Sequence, residues 1–141
     1  MTRIDYLEPV FAEFIPAQSD LESGKLYVSM TYATTVHLCA SGCGHKVVLP
    51  LSPAQYRLQF DGTSISLSPS IGNWDYTCQA HYWIRDNEIV WAPKWSKERI
   101  ELGRVRDEHD IAASHQRPTT PATHDRKSVF GVFMHWVRPR R

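Results

Sequence analysis

Along most of the chain, apolar and polar residues alternate over short stretches, each ended by Gly, Pro, Asp or Asn. A period of two is that of half-buried β-strands, and no stripe at helical spacing occurs before residue 94. The pattern predicts strands over 10–15, 25–30, 36–39, 46–49, 56–60, 64–67, 80–85 and 88–92. Asp61-Gly62 joins YRLQF to TSISLS, and Asp86-Asn87 joins HYWIR to EIVWA. Both pairs tolerate the positive φ of tight turns, so two hairpins are expected. Tyr82, Ile84 and Trp91 in the second hairpin, like the other tryptophans, are read as packing residues.

The pattern changes at Ser96, followed by KERI: an N-cap opening a helix that runs toward residue 113, with Gly103 as a weak point. Beyond it, HQRPTTPATHDRK reads as a linker or mobile loop, and SVFGVFMHWV as a strand docking back. The expected fold is mainly β, a small sandwich or barrel-like body with one C-terminal helix. A β-rich domain over 1–101 is followed by a basic helix and partly mobile tail over 102–141.

Composition narrows the function classes. The chain has 141 residues, 42% hydrophobic and 22% charged, enough for one core and short of two. Its net charge of +1 hides a split: 8 Lys/Arg against 11 Asp/Glu over 1–101, and 8 against 4 over 102–141. A weakly acidic body with a basic tail lacks the concentrated basic face that binds phosphate backbones, so a nucleic-acid partner is not expected. No stretch approaches a membrane span, and MTRIDYLEPVFAEF carries acids where an export signal has basic and apolar blocks. The expected compartment is the cytoplasm, with no membrane partner.

Three cysteines, an odd number, argue against a disulfide framework and leave metal binding or free thiols. Cys39-Ala-Ser-Gly-Cys43-Gly44 is followed by Cys78-Gln-Ala-His81, two short-spaced pairs separated by a hairpin's worth of chain. Gly42 and Gly44 let the backbone curl so that two thiolates converge on one ion, and Cys-x2-His completes a tetrahedral shell, giving zinc-ribbon-like knuckles. Thiolate and imidazole donors favour zinc in a structural role. His37 lies two residues from Cys39 on a predicted strand and so points to the same face. If His81 ligates, His37 is free as a base; if His37 ligates, His81 is free. The Cys-x2-His spacing favours Cys39, Cys43, Cys78 and His81 as ligands. His45, His109, His115, His124 and His135 fall outside this constellation and are read as solvated surface residues.

Chemistry is expected at Pro69-Ser70-Ile71-Gly72-Asn73-Trp74. Ser70 stands at the end of a strand, Gly72 and Asn73 offer donors for an oxyanion, and the histidine not used by the metal is the nearby base. No G-x-S-x-G elbow is present, and Asp75 and Asp61 are the acids available to orient a histidine. The plainer alternative is that Ser70 and Asn73 only satisfy turn backbone groups.

The pieces LYVSMTYATTVHLCASGCG, VVLPLSP, LSPSIGNW, CQAHYWI and VWAPKWS, in that order over residues 26–95, resemble a bacterial family long catalogued as a domain of unknown function. Members tend to carry Cys-x-Cys-Gly-Cys-Gly where this chain has Ser41 at the middle position, which implies that this position is not an essential ligand. The family is linked to bacterial ubiquitination-like operons beside E1-like, E2-like and ubiquitin-like proteins, and is implicated there as a serine peptidase. The resemblance implies Ser70 as nucleophile and a histidine beside the zinc as base, taken as His37, in a peptidase that processes or deconjugates a ubiquitin-like protein. The competing reading is a non-catalytic zinc-binding interaction module of the same pathway. A metallohydrolase with three protein ligands is a further alternative.

Overall fold

The computed structural model describes residues 2–116, and these form two four-stranded sheets, one α-helix and a single 3-10 turn at Gln18–Asp20. The first sheet contains β1 (Glu8–Phe11), β2 (Lys25–Ser29), β3 (Thr34–Leu38) and β4 (Lys46–Pro50) in that order, with β1 parallel to β2 and the other pairs antiparallel. The second is an antiparallel meander of β5 (Arg57–Phe60), β6 (Ile65–Gly72), β7 (His81–Arg85) and β8 (Glu88–Trp91). Every predicted strand is present with shifted ends, and the architecture is the expected one: mainly β with a single helix after the strands.

Alternation decides what each sheet buries. Leu26 and Val28 of β2, Thr35 and His37 of β3, and Val47 and Leu49 of β4 are mutual register partners and therefore share a face. The apolar members of that face join Ile65, Leu67 and Ile71 of β6, Tyr82 and Ile84 of β7, and Ile89 of β8 in one core. A smaller cluster of Leu21, Tyr27 and Val36 covers the opposite face of the first sheet. His37 thus occupies a core position, completely buried.

The longest strand departs most from expectation. β6 runs on through Pro69 and Ser70 to Gly72, because Ile71 returns to the core after a bulge. Leu67 pairs with Ile84 and Ile71 with Tyr82, so four steps along β6 match two along β7. The residues between are displaced from the ladder, where proline is tolerated and a side chain is re-aimed.

Turn chemistry follows the sequence closely. Asp86 and Asn87 both have positive φ, 49° and 66°, and link β7 to β8 as a two-residue turn. Asp61 instead organises a four-residue loop, its carboxylate accepting from the Thr63 and Ser64 N–H groups at 2.9 and 2.7 Å. These bonds hold its carboxyl well below the usual range.

Helix α1 spans Lys97–Gln116, and Ser96 caps it by accepting from the Arg99 N–H at 3.3 Å. The expected boundary at residue 101/102 falls inside this helix. Gly103 has a packing reason: a Cβ there would stand 3.3 Å from the Trp95 ring. No described helix is long and apolar enough to cross a membrane. The strand expected over 128–137, and most of the expected linker before it, lie outside the described residues.

Candidate active site

The β6 bulge and the start of β7 bring together two residues that the sequence assigned to different tasks. Gly72 pairs with His81, and across this end of the ladder Ser70 Oγ lies 2.9 Å from His81 Nε2. The other ring nitrogen, Nδ1, lies 2.5 Å from the Pro93 carbonyl oxygen. A carbonyl only accepts, so Nδ1 carries the proton and Nε2 is left to accept from the Ser70 hydroxyl. Trp74 and Trp95 flank the imidazole, with ring centroids 5.0 and 5.1 Å away, and stack on each other at 5.6 Å. His81 is only 5% exposed.

A cavity of about 240 Å³ opens beside this pair. Ser70, Gly72, Trp74 and His81 line one side, and Gly103, Arg104 and Arg106 of α1 the other. The helix is fastened there by Arg99 stacked over Trp95 at 4.4 Å and by Arg104 bound to Asp75 at 2.6 Å. Tyr56 also lines the cavity; burial, with the Asp107 charge, pushes its phenol up to about 12.

His37 is elsewhere. Its Nε2 is 2.8 Å from the Tyr82 hydroxyl, and it makes no hydrogen bond to Ser70. The Tyr82 oxygen accepts from the Ala40 N–H and Asn73 Nδ2, both at 3.4 Å, so its own proton is directed at His37. Burial lowers the His37 pKa to about 3, which keeps the ring neutral in the core. The structure therefore places His81 beside Ser70, and His37, expected there as the base, in the core against Tyr82. Sequence spacing favoured His81 as a ligand because it cannot show that residue 81 opens a strand facing the β6 bulge.

The oxyanion expectation divides. Gly72 lines the cavity, but Asn73 is turned inward. Its N–H donates to the Ala80 carbonyl at 2.8 Å, and Nδ2 donates to Cys39 Sγ at 3.2 Å and to Tyr82. These bonds account for all its donors. Neither acid orients His81: Asp61 caps its own loop and Asp75 is held by Arg104. The orienting group is a main-chain carbonyl, which no side-chain motif reveals.

The three cysteines do converge, with Sγ atoms all within 4.8 Å of one another. Cys39 and Cys78 are 3.8 Å apart, close to the roughly 3.8 Å that two thiolates 2.3 Å from a tetrahedral zinc would have. The donor set fits a soft divalent ion, and Asn73 supplies the outer hydrogen bond to sulfur typical of such sites. Burial raises the Cys39 thiol. Burial pushes Cys43 up as well, but hydrogen bonds from Ser41, from the His45 backbone and ring, and from Cys78 outweigh it and bring it to about 6.

The sequence model of the family described as bacterial ubiquitination-like system serine protease (BubE) matches residues 11–92, more than half of the chain. The chain belongs to the BubE family. The matched region contains Ser70, His81 and all three cysteines; Pro93, Trp95 and α1, which adjoin the Ser70–His81 pair, lie just beyond it. No curated protein and no solved structure matches the chain.

Proposed function

We propose that this BubE-family protein is a serine peptidase that cleaves the C-terminal tail of a ubiquitin-like protein, with Ser70 as nucleophile and His81 as general base. The observation that carries this reading is the 2.9 Å contact between Ser70 Oγ and His81 Nε2 in the tautomer that accepts a proton. Attack of Ser70 Oγ on the scissile carbonyl passes its proton to Nε2, and the imidazolium then protonates the leaving amine. Water hydrolyses the resulting acyl-enzyme by the same route in reverse. The Pro93 carbonyl holds the ring in place throughout, and its dipole favours the transient positive charge. Trp74 and Trp95 keep bulk water from the imidazole and strengthen these contacts.

Zinc is the ion that suits the cysteine cluster, in a structural role that lends folding energy and holds the loop between β6 and β7. The family's pathway supplies the partner class: a ubiquitin-like protein, its precursor or its conjugates, with the E1-like and E2-like enzymes that attach it.

Intact-mass analysis of a C-terminally extended ubiquitin-like protein from a bacterial ubiquitination-like system tests the assignment. Wild-type protein is expected to remove the extension, and folded Ser70→Ala and His81→Ala to lose roughly 10³-fold or more in rate. Cleavage by Ser70→Ala at the wild-type rate would overturn the serine mechanism and favour the interaction-module reading.

A further inference from the structure

With His81 committed to Ser70 and Pro93, the cysteine cluster has three protein donors, one short of a closed tetrahedral shell. Three groups stand against the thiols. Asn73 presents Nδ2, an amide donor, to Cys39 and so cannot ligate through that atom. The Ser41 hydroxyl lies 3.2 Å from Cys39 Sγ and accepts from the Cys43 N–H at 3.2 Å, which commits a lone pair to the turn. His45 places Nδ1 3.2 Å from Cys43 Sγ.

The hairpin explains why His45 is there. β3 and β4 pair up to Leu38 with Lys46, and the ladder continues with the Cys39 N–H donating to the His45 carbonyl at 2.8 Å. Residues directly opposite on antiparallel strands project to the same face, so Cys39 and His45 point to one side of the hairpin end. The loop between them closes through Gly42 and Gly44, with φ of +82° and +83°. A side chain at Gly42 would collide with the Thr2 backbone, so the curl that turns Cys43 back toward His45 depends on glycine there.

The ring is also held. His45 stacks on Tyr76 with centroids 4.3 Å apart and planes 17° from parallel, and the Tyr76 hydroxyl donates to the Lys46 carbonyl at 2.6 Å. Tyr76 belongs to the same loop as Cys78, so the stack and the thiols draw together the same two segments.

We propose that His45 supplies the fourth ligand through Nδ1, closing a Cys3His zinc site in which a histidine two residues after Cys43 completes the shell. Ligands 2.3 and about 2.05 Å from a tetrahedral ion stand roughly 3.6 Å apart; Nδ1 already lies within that reach of Cys43, but more than 4.8 Å from at least one of the other two thiols, so the ring must swing inward to close the shell. Imidazole completes three thiolates with the donor set of a structural zinc site. The inference rests on the metal reading above, and two separate readouts keep their failures apart.

The experiment uses the full chain exchanged into cobalt, whose visible d–d bands and sulfur-to-metal charge transfer report the donor set. Metal content comes first: one ion per wild-type chain is expected, and a chain purified with added zinc yet holding none would overturn the metal site itself. His45→Ala is then expected to shift the d–d bands and weaken binding by roughly tenfold or more. His45→Cys is expected to restore affinity and add the charge transfer of a fourth thiolate, while Ser41→Ala leaves spectrum and affinity as in wild type. Wild-type spectrum and affinity in His45→Ala, or their loss in Ser41→Ala alone, would overturn His45 as the ligand. If His45→Ala fails to fold, His45→Cys decides: the absence of added thiolate charge transfer places residue 45 outside the shell.

Discussion

At residue scale, the side chains divide into two groups: Ser70 Oγ and His81 Nε2 face each other at 2.9 Å, and the three thiols gather within 4.8 Å of one another. Ser70, His81 and the three cysteines all stand where something chemical can happen, but spacing placed His81 with Cys78 on the strength of Cys-x2-His. Side-chain direction decides otherwise. Gln79, with φ of 45°, turns the chain between the two residues, so Cys78 faces the hairpin end and His81 faces Ser70. His37 points with Cys39 as alternation requires, yet that face is the core, where a neutral imidazole pairs with Tyr82. The orienting role of the Pro93 carbonyl is invisible in sequence, because every residue carries that group. It leads to a prediction about Asp75, the acid nearest the site in sequence. If Asp75 completed a triad, Asp75→Asn would cost about 10⁴-fold in kcat. Here it only binds Arg104, an exposed pair worth about 1 kcal/mol or less. Asp75→Asn is therefore expected to keep kcat within about threefold of wild type in steady-state peptidase kinetics. A collapse of kcat with the fold intact would put an acid back into the mechanism.

The strands themselves were legible because β-rich segments broken by turn residues read directly from a period of two. What alternation does not show is where a ladder slips. The predicted strand over 64–67 stops at the point where the bulge begins, since Ser68, Pro69 and Ser70 break the pattern and only the burial of Ile71 resumes it. That slip makes the site: it displaces Ser70 from the ladder and leaves Gly72 opposite His81. Gly72 is also a space requirement, because a Cβ there would overlap the Trp74 indole. Gly72→Ala must push Trp74 from the imidazole it flanks. The expected result is a folded protein destabilised by about 1–3 kcal/mol in denaturant unfolding, with kcat down roughly tenfold or more. Unchanged kcat in a variant with shifted Trp74 fluorescence would show that the indole wall contributes nothing to turnover.

Across the whole molecule, the cysteines gather segments of both sheets, which already share one core. Cys39 and Cys43 terminate a hairpin of the first sheet, whereas Cys78 lies in the loop from β6 to β7 of the second. A metal held by all three joins the sheets at the end where Ser70 and His81 meet. The buried line from Cys39 through Asn73 and Tyr82 to His37 runs from that junction into the first sheet. Stability and activity should then depend on the metal together, while the dyad should matter to activity alone. Removing the ion with a chelator is expected to lower Tm by roughly 10 °C or more in wild type and Ser70→Ala alike, and to reduce wild-type turnover in step with the folded fraction. Cys78→Ser, which breaks the junction from the loop side, is expected to melt near the chelated wild type and to ignore further chelator. Calorimetry on the three proteins, with and without chelator, separates this from a metal that acts on substrate: there, chelation would abolish turnover while leaving the wild-type Tm in place.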